Sequence, residues 1–265
     1  FSTGPGFPFH CLDTLCSALL TLPTLANVSF AQLDDDGPEE GQSLESMIML
    51  LQSPNLREVT FESVVFTNTL SQAVAKVLKE RSQITILRFR FCSFPEGANT
   101  VIASALMTNT ILERLHFQDG IDEVFYEVLA AALLSNSTLQ GLAFAIPEDS
   151  FGSCSWLSPL FMALQVNSGL KELHIRGIEI TDDKLSTAIG LGLAKNTTLE
   201  TLNLWGIRAD TDASFWREAL SFLRTNTALK TLYVNCPPDS FAEVAAMLHN
   251  NESLKTLSIV SSDPT

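Results

Sequence analysis

The chain has 265 residues, 46% of them hydrophobic, and its 30 acids against 16 Lys and Arg give a formal charge of −14. A field this acidic disfavours nucleic acid and anionic membrane as general partners, and no run approaches the ~18 uninterrupted apolar residues of a membrane span. The five cysteines are odd in number and mostly far apart, which reads as reduced thiols in an intracellular, cytoplasmic protein. Cys11 and Cys16 stand close on an expected helix, poor geometry for a bridge. The sequence starts at Phe1 without methionine or a basic-then-apolar leader, as an excerpt of a longer chain or a processed product would.

The feature that organises the chain is a phrase of the form L-x-x-L-x-L, with other apolar residues standing in for leucine. Copies start at Leu25, Leu56, Ile84, Leu112, Leu139, Leu170, Leu199, Leu229 and Leu254, on average about 29 residues apart. A period of this length marks a repeat architecture in which each unit packs only on its neighbours. Residues 1–265 are therefore expected to form a single repeat domain of about nine units.

In chain order, Pro5–Phe9 is apolar and turn-rich and is expected to fold over the first helix, Leu12–Leu20. The first phrase at Leu25 leads into Asp34-Asp35-Asp36-Gly37-Pro38-Glu39-Glu40, the densest acidic run, which reads as a solvated insertion rather than a calcium loop because its acids lack alternating spacing. Helical spacing of apolar residues then predicts helices over Leu44–Leu51, Leu70–Lys79, Ala98–Met107, Glu123–Leu134, Trp156–Val166 and Lys184–Ala194, each after a phrase. The unit from Asn196 to Asn226 states the grammar most clearly. A polar turn precedes the alternating strand residues Leu199, Leu202 and Leu204. Trp205-Gly206-Ile207 turns away. Asp212-Ala213-Ser214 opens a helix carrying Phe215, Trp216, Ala219, Leu220, Phe222 and Leu223, and Asn226 is expected as a left-handed cap. A last helix is expected over Phe241–His249, and no covering helix follows the final strand.

These residues resemble a known family. L-x-x-L-x-L followed by a helix and ending in Asn-x-Thr-Leu is similar to the ribonuclease-inhibitor-like class of leucine-rich repeat, found also in NOD-like receptors and Ran GTPase-activating proteins. The resemblance covers roughly residues 12 to 260 and implies an α/β solenoid, a curved horseshoe with a parallel sheet on the concave face and helices on the convex face. One departure concerns the ninth position of the phrase, where the family places Asn or Cys. Only Cys92 fits, while Leu33, Val64, Gly120, Pro147, Ile178, Ile207, Pro237 and Ser262 fill the others. Less regular turns are expected in consequence.

In this register, phrase positions three, five and seven face a partner. They hold four arginines (Arg88, Arg90, Arg114, Arg176), three glutamates (Glu58, Glu62, Glu172), His116 and His174, with Trp205 and Tyr233 in adjacent units. The face is basic relative to the rest of the chain. Arg, Trp and Tyr dominate interface hot spots, so Arg88, Arg90, Arg114, His116, His174, Arg176, Trp205 and Tyr233 are the candidate partner-binding residues, suited to an acidic segment of another protein. The competing reading is that the arginines only pair with those glutamates along the sheet.

The remaining motifs carry little chemistry. Asn27, Asn136, Asn196 and Asn251 each head an N-glycosylation acceptor sequence, but three of the four are simply the repeat's own turn. Gly190-Leu191-Gly192 lacks the third glycine of a dinucleotide loop and reads as close helix packing. The four histidines show no metal spacing, and Ser153 lacks the glycine that a nucleophile elbow requires. The expectation is a non-catalytic scaffold or adaptor, a possible subunit of a larger complex, with no cofactor and no metal. The alternatives are a GTPase regulator of the Ran GTPase-activating type and an extracellular recognition domain.

Overall fold

The structure is a computed structural model that describes residues 9–32, 44–80, 82–118, 121–145, 154–177, 179–180, 183–206, 208–209, 213–236 and 238–261. The acidic run 34–40, Ser153 and most ninth-position turn residues lie outside these. The chain divides into two compact units, Phe1–Ala132 and Leu133–Thr265, taken in turn.

Unit 1 contains α1 (Phe9–Leu19), β1 (Asn27–Ala31), α2 (Glu45–Leu51), β2 (Glu58–Glu62), α3 (Asn68–Glu80), β3 (Ile86–Arg90), α4 (Thr100–Ala105), β4 (Arg114–Gln118) and most of α5 (Glu123–Leu133). The strands pair in parallel and in chain order, with Val59 beside Val28 and Leu87, and Phe89 beside Phe117. Alternation decides which side each residue takes, because successive strand residues point to opposite faces. Val59, Phe61, Leu87, Phe89, Leu115 and Phe117 are buried under the helices. Phe30, Phe61, Phe89 and Phe117 run through the unit as a stack with centroid separations of 5.3, 5.7 and 4.6 Å. Phe66 meets Phe61 and Phe89 edge-on, the geometry that ring quadrupoles favour.

Unit 2 continues with β5 (Gly141–Ala145), α6 (Ser158–Leu164), β6 (Glu172–Arg176), β7 (Glu179–Ile180), α7 (Asp183–Lys195), β8 (Thr201–Leu204), β9 (Arg208–Ala209), α8 (Ala213–Ser221), β10 (Thr231–Cys236), α9 (Phe241–Asn250) and β11 (Thr256–Ser261). Strands β5, β6, β8, β10 and β11 form its parallel sheet, and β7 pairs with β9 beyond the turns. Leu142, Phe144, Leu173, Ile175, Leu202, Leu204, Leu232 and Val234 supply the core. The paired glycines pack helices closely, as their sequence context implies. A Cβ on Gly192 of α7 would lie 2.3 Å from the Phe161 carbonyl oxygen of α6, and one on Gly190 would meet the Phe222 ring.

Three details differ from the sequence reading. Helix α4 is shorter than Ala98–Met107, since Gly97 just before it is left-handed (φ 70°) and its end tightens into i→i−3 bonds from the amides of Leu106, Met107 and Thr108. Trp156 falls in a 3₁₀ turn over Cys154–Leu157, and the α-helix starts at Ser158 with a proline in its first turn. Asn226 is not a left-handed cap. It belongs to a ladder of buried asparagines in which each side chain spans adjacent repeats. Nδ2 of Asn226 donates to the carbonyls of Leu193 (2.6 Å) and Asn196 (3.2 Å), while its Oδ1 accepts from the amides of Ala228 and Leu229. Asn167, Asn196 and Asn251 repeat the pattern, and Asn109 bonds the Leu78 carbonyl in the same way within unit 1. The ladder satisfies the carbonyls that a helix end leaves without partners.

Five of the turns share a left-handed residue at the phrase's eighth position, whereas Cys236 there continues strand β10. Gln32, Ser63 and Phe91 in unit 1, and Gly177 and Gly206 in unit 2, all have φ between 51° and 76°. At the ninth position the Cys92 thiol bonds the backbone, its Sγ lying 3.4 Å from the Phe61 carbonyl oxygen and 3.5 Å from that of Arg90. Val64 there is buried instead.

Candidate functional site

The strand register places the candidate residues in rows, because residues paired across parallel strands share a face. In unit 1 one row is Ser29, Thr60, Arg88 and His116, and the next is Ala31, Glu62, Arg90 and Gln118. Arg88 forms an ion pair with Glu58, and Arg90 approaches Glu62 at 3.7 Å. Both pairs are partly solvated, the kind worth at most ~1 kcal/mol. Arg114 is exposed on β4 and His116 half-buried beside it. In unit 1 the arginines of β3 thus pair with glutamates along the sheet.

Unit 2 is arranged differently. One row is His174, Asn203, Tyr233 and Ser258. In the next, Asn235 pairs with Val260, and Arg176 and Trp205 hold the same position on their own repeats. Residues from both rows surround a hollow of about 460 Å³ lined by His174, Arg176, Asn203, Trp205, Tyr233, Val234, Ser258 and Val260. The Arg176 guanidinium carbon lies 5.7 Å from the Trp205 ring centroid, a cation–π contact worth ~0.5–1 kcal/mol at an exposed site. Trp205 stays 48% exposed, unusual for so large an apolar side chain, and Val260 is also exposed.

The local sequence explains the pose of Trp205. Strand β8 ends at Leu204, and the left-handed Gly206 turns the chain away immediately after the ring. Asn203, nearly fully buried, accepts the Trp205 amide on its Oδ1 at 3.0 Å, so the turn is fixed by a side chain within the hollow itself. Close passage of the preceding repeat adds a second restraint, since a Cβ on Gly206 would sit 3.4 Å from the Gly177 nitrogen.

The structure thus groups the eight candidates as Arg88, Arg90, Arg114 and His116 in unit 1 and His174, Arg176, Trp205 and Tyr233 in unit 2. Asn203, Ser258 and Val260 line the unit 2 hollow as well. The inner-face register places them there, but they carry no charge or large ring to single them out in a sequence. The buried thiols stand apart from this face's chemistry: burial pushes Cys16 up to about 12 and Cys92 up to about 11.

No protein-family model and no curated protein matches this sequence. Solved structures do match in shape. The chain is similar to the leucine-rich repeat-containing protein LegL7 of Legionella pneumophila, at 12% identity and a TM-score of 0.54, covering 91% of this chain and 75% of that one. It is also similar to a Bacteroides fragilis protein at 14% identity and a TM-score of 0.50, covering 92% and 69%. Repeated parallel strands alternating with helices, a leucine phrase every turn of the repeat and these likenesses give one conclusion: the chain has the α/β leucine-rich repeat fold.

Proposed function

We propose that the chain is a non-catalytic scaffold or adaptor that holds a partner protein on the strand-side face of unit 2. The observation that carries this reading is the hollow in which Trp205 stands half exposed beside Arg176 on a fixed turn. A parallel sheet holds its rows rigidly, so a partner is bound with little ordering cost. Tryptophan, tyrosine and arginine are the types that concentrate binding energy at interfaces. The unit 1 residues rank behind, because Arg88 and Arg90 already have carboxylate partners.

The test starts from a photo-crosslinker placed at Ser258 in the full chain. A protein captured there is identified and its affinity measured against Trp205→Ala, Tyr233→Ala and the double charge reversal of Arg90 and Arg114. Trp205→Ala is expected to weaken binding tenfold or more, ~1.4 kcal/mol or above, and the unit 1 reversal by less. Affinity unchanged in Trp205→Ala and Tyr233→Ala defeats the assignment.

A further inference from the structure

We propose that Arg176 and Trp205 form a receptor for one carboxylate of an extended acidic segment in the partner protein, whose neighbouring large apolar side chain fills the hollow between Trp205 and Val260. The proposal rests on the reading of the unit 2 face as a docking surface and names the chemistry docked there.

The first argument is an imbalance of charge. The chain carries 30 acids against 16 Lys and Arg, and three of its cations near the strands meet carboxylates: Arg88 with Glu58, Arg90 with Glu62, Lys230 with Glu200 at 2.7 Å. Among the described residues Arg176 has no carboxylate partner. Its contact is the Trp205 ring, and its side chain is exposed. No acid lines the hollow. A guanidinium held against an aromatic ring keeps N–H donors for a planar, bidentate acceptor, and a carboxylate matches that fork.

The second argument separates carboxylate from more highly charged ligands. A phosphate group brings up to two negative charges, and a nucleic acid strand brings many, into the field of a chain at −14. One unmatched arginine offsets a single carboxylate, not a dianion or a strand.

The third argument is spacing. Arg176, Trp205, Asn235 and Val260 hold the seventh position of successive phrases, Trp205 just past the end of β8, and neighbouring strands lie about 4.8 Å apart. The gap between Trp205 and Val260 is centred about two strand spacings, ~10 Å, from Arg176, which an extended peptide covers in about three residues at ~3.3 Å each. Side chains of an extended segment alternate between its faces, so the segment has an Asp or Glu and, two or four positions away on the same face, a large aliphatic or aromatic residue.

A display library of random short peptides selected against the full chain tests this directly. Enriched peptides are expected to share an acid two or four positions from a large apolar residue. One such peptide, labelled and synthesised, is expected to bind Arg176→Gln at least about tenfold more weakly, as loss of a charge-assisted hydrogen bond implies, while Arg176→Glu selects Lys or Arg in place of the acid. Arg176 is exposed, so an unchanged circular dichroism spectrum and melting point for Arg176→Gln separate loss of binding from loss of fold. Enrichment without an acid, or a peptide affinity within about twofold in Arg176→Gln, overturns the carboxylate receptor. If Trp205→Ala still abolishes binding in that case, the docking surface survives and only the chemistry assigned to it fails; if neither substitution matters, both readings fall. A phosphoserine in place of the acid that binds tenfold tighter also overturns the proposal.

Discussion

Single side chains decide where this chain holds together. Asn196 is 3% exposed, donates to the Leu164 and Asn167 carbonyls at 2.7 and 3.2 Å, and accepts from the amides of Thr198 and Leu199. Alanine there leaves four backbone groups without that partner, so Asn196→Ala is expected to cost ~2–4 kcal/mol in chemical denaturation. Asn196→Asp is no remedy, since it keeps the acceptor, loses the donors and buries a charge. A loss below ~1 kcal/mol for the alanine variant contradicts the ladder. The thiols give a second expectation. Cys16 and Cys92 are buried, with pKa values of about 12 and 11, and the thiolate is the nucleophile. Both are expected to resist alkylation near neutral pH until the chain is unfolded, which mass spectrometry of labelled native and denatured samples reads directly.

At the scale of elements, the contact of α6 with α7 depends on a missing methyl group. The carbonyl that a Gly192 Cβ would strike is backbone and cannot swing aside, whereas the Phe222 ring facing Gly190 is half exposed and can. Gly192→Ala is therefore expected to destabilise by ~1–3 kcal/mol, and Gly190→Ala by less; thermal melting in the opposite order counts against this packing. Between α7 and α8, Glu218 accepts from the Ser186 hydroxyl at 2.6 Å and the Thr187 hydroxyl at 2.5 Å. These bonds, Ser186 first, hold its carboxyl below the ordinary carboxylate range. A depressed folded-state pKa contributes stability above the unfolded value and loses it as pH falls through the folded one. Solvent screens so open a site, so Glu218→Gln is expected to lower stability at neutral pH by less than ~1 kcal/mol, with the difference closing in acid.

Over the whole chain, the two units fill the same core positions with different chemistry. Unit 1 stacks Phe30, Phe61, Phe89 and Phe117, while unit 2 follows Phe144 with Ile175, Leu204 and Val234. Repeat folds respond locally to such differences, because each unit contacts only its neighbours. Phe89→Ala, at ~3–5 kcal/mol, is expected to speed hydrogen exchange in β2, β3 and β4 while β8 and β10 keep their protection. Equal loss in both units contradicts solenoid behaviour. The strands and their facing were legible in sequence, since a leucine phrase with a period-two pattern leaves one register that buries Leu202 and Leu204 together. The ladder and the eighth-position turn were not. Asn226 looks the same whether it caps its own helix or reaches back to Leu193, and nothing local marks Gln32 or Phe91 as left-handed when glycine fills that place in Gly177 and Gly206. At the site, residue types pointed to Arg176 and Trp205, and the register also offered Arg88 and Arg90 their glutamates, but which of the two readings holds in each unit depended on rotamers that no pattern encodes.

The asparagine ladder also bears on covalent modification. The amide nitrogen that an N-linked sugar would occupy at Asn196 or Asn251 is the same atom that grips the preceding repeat. Oligosaccharide is attached through that nitrogen, and a branched glycan has no place in a seam closed at hydrogen-bond distance. At these two positions decoration and folding compete for one atom, so a chain carrying sugar there has given up the clasp between its neighbouring turns.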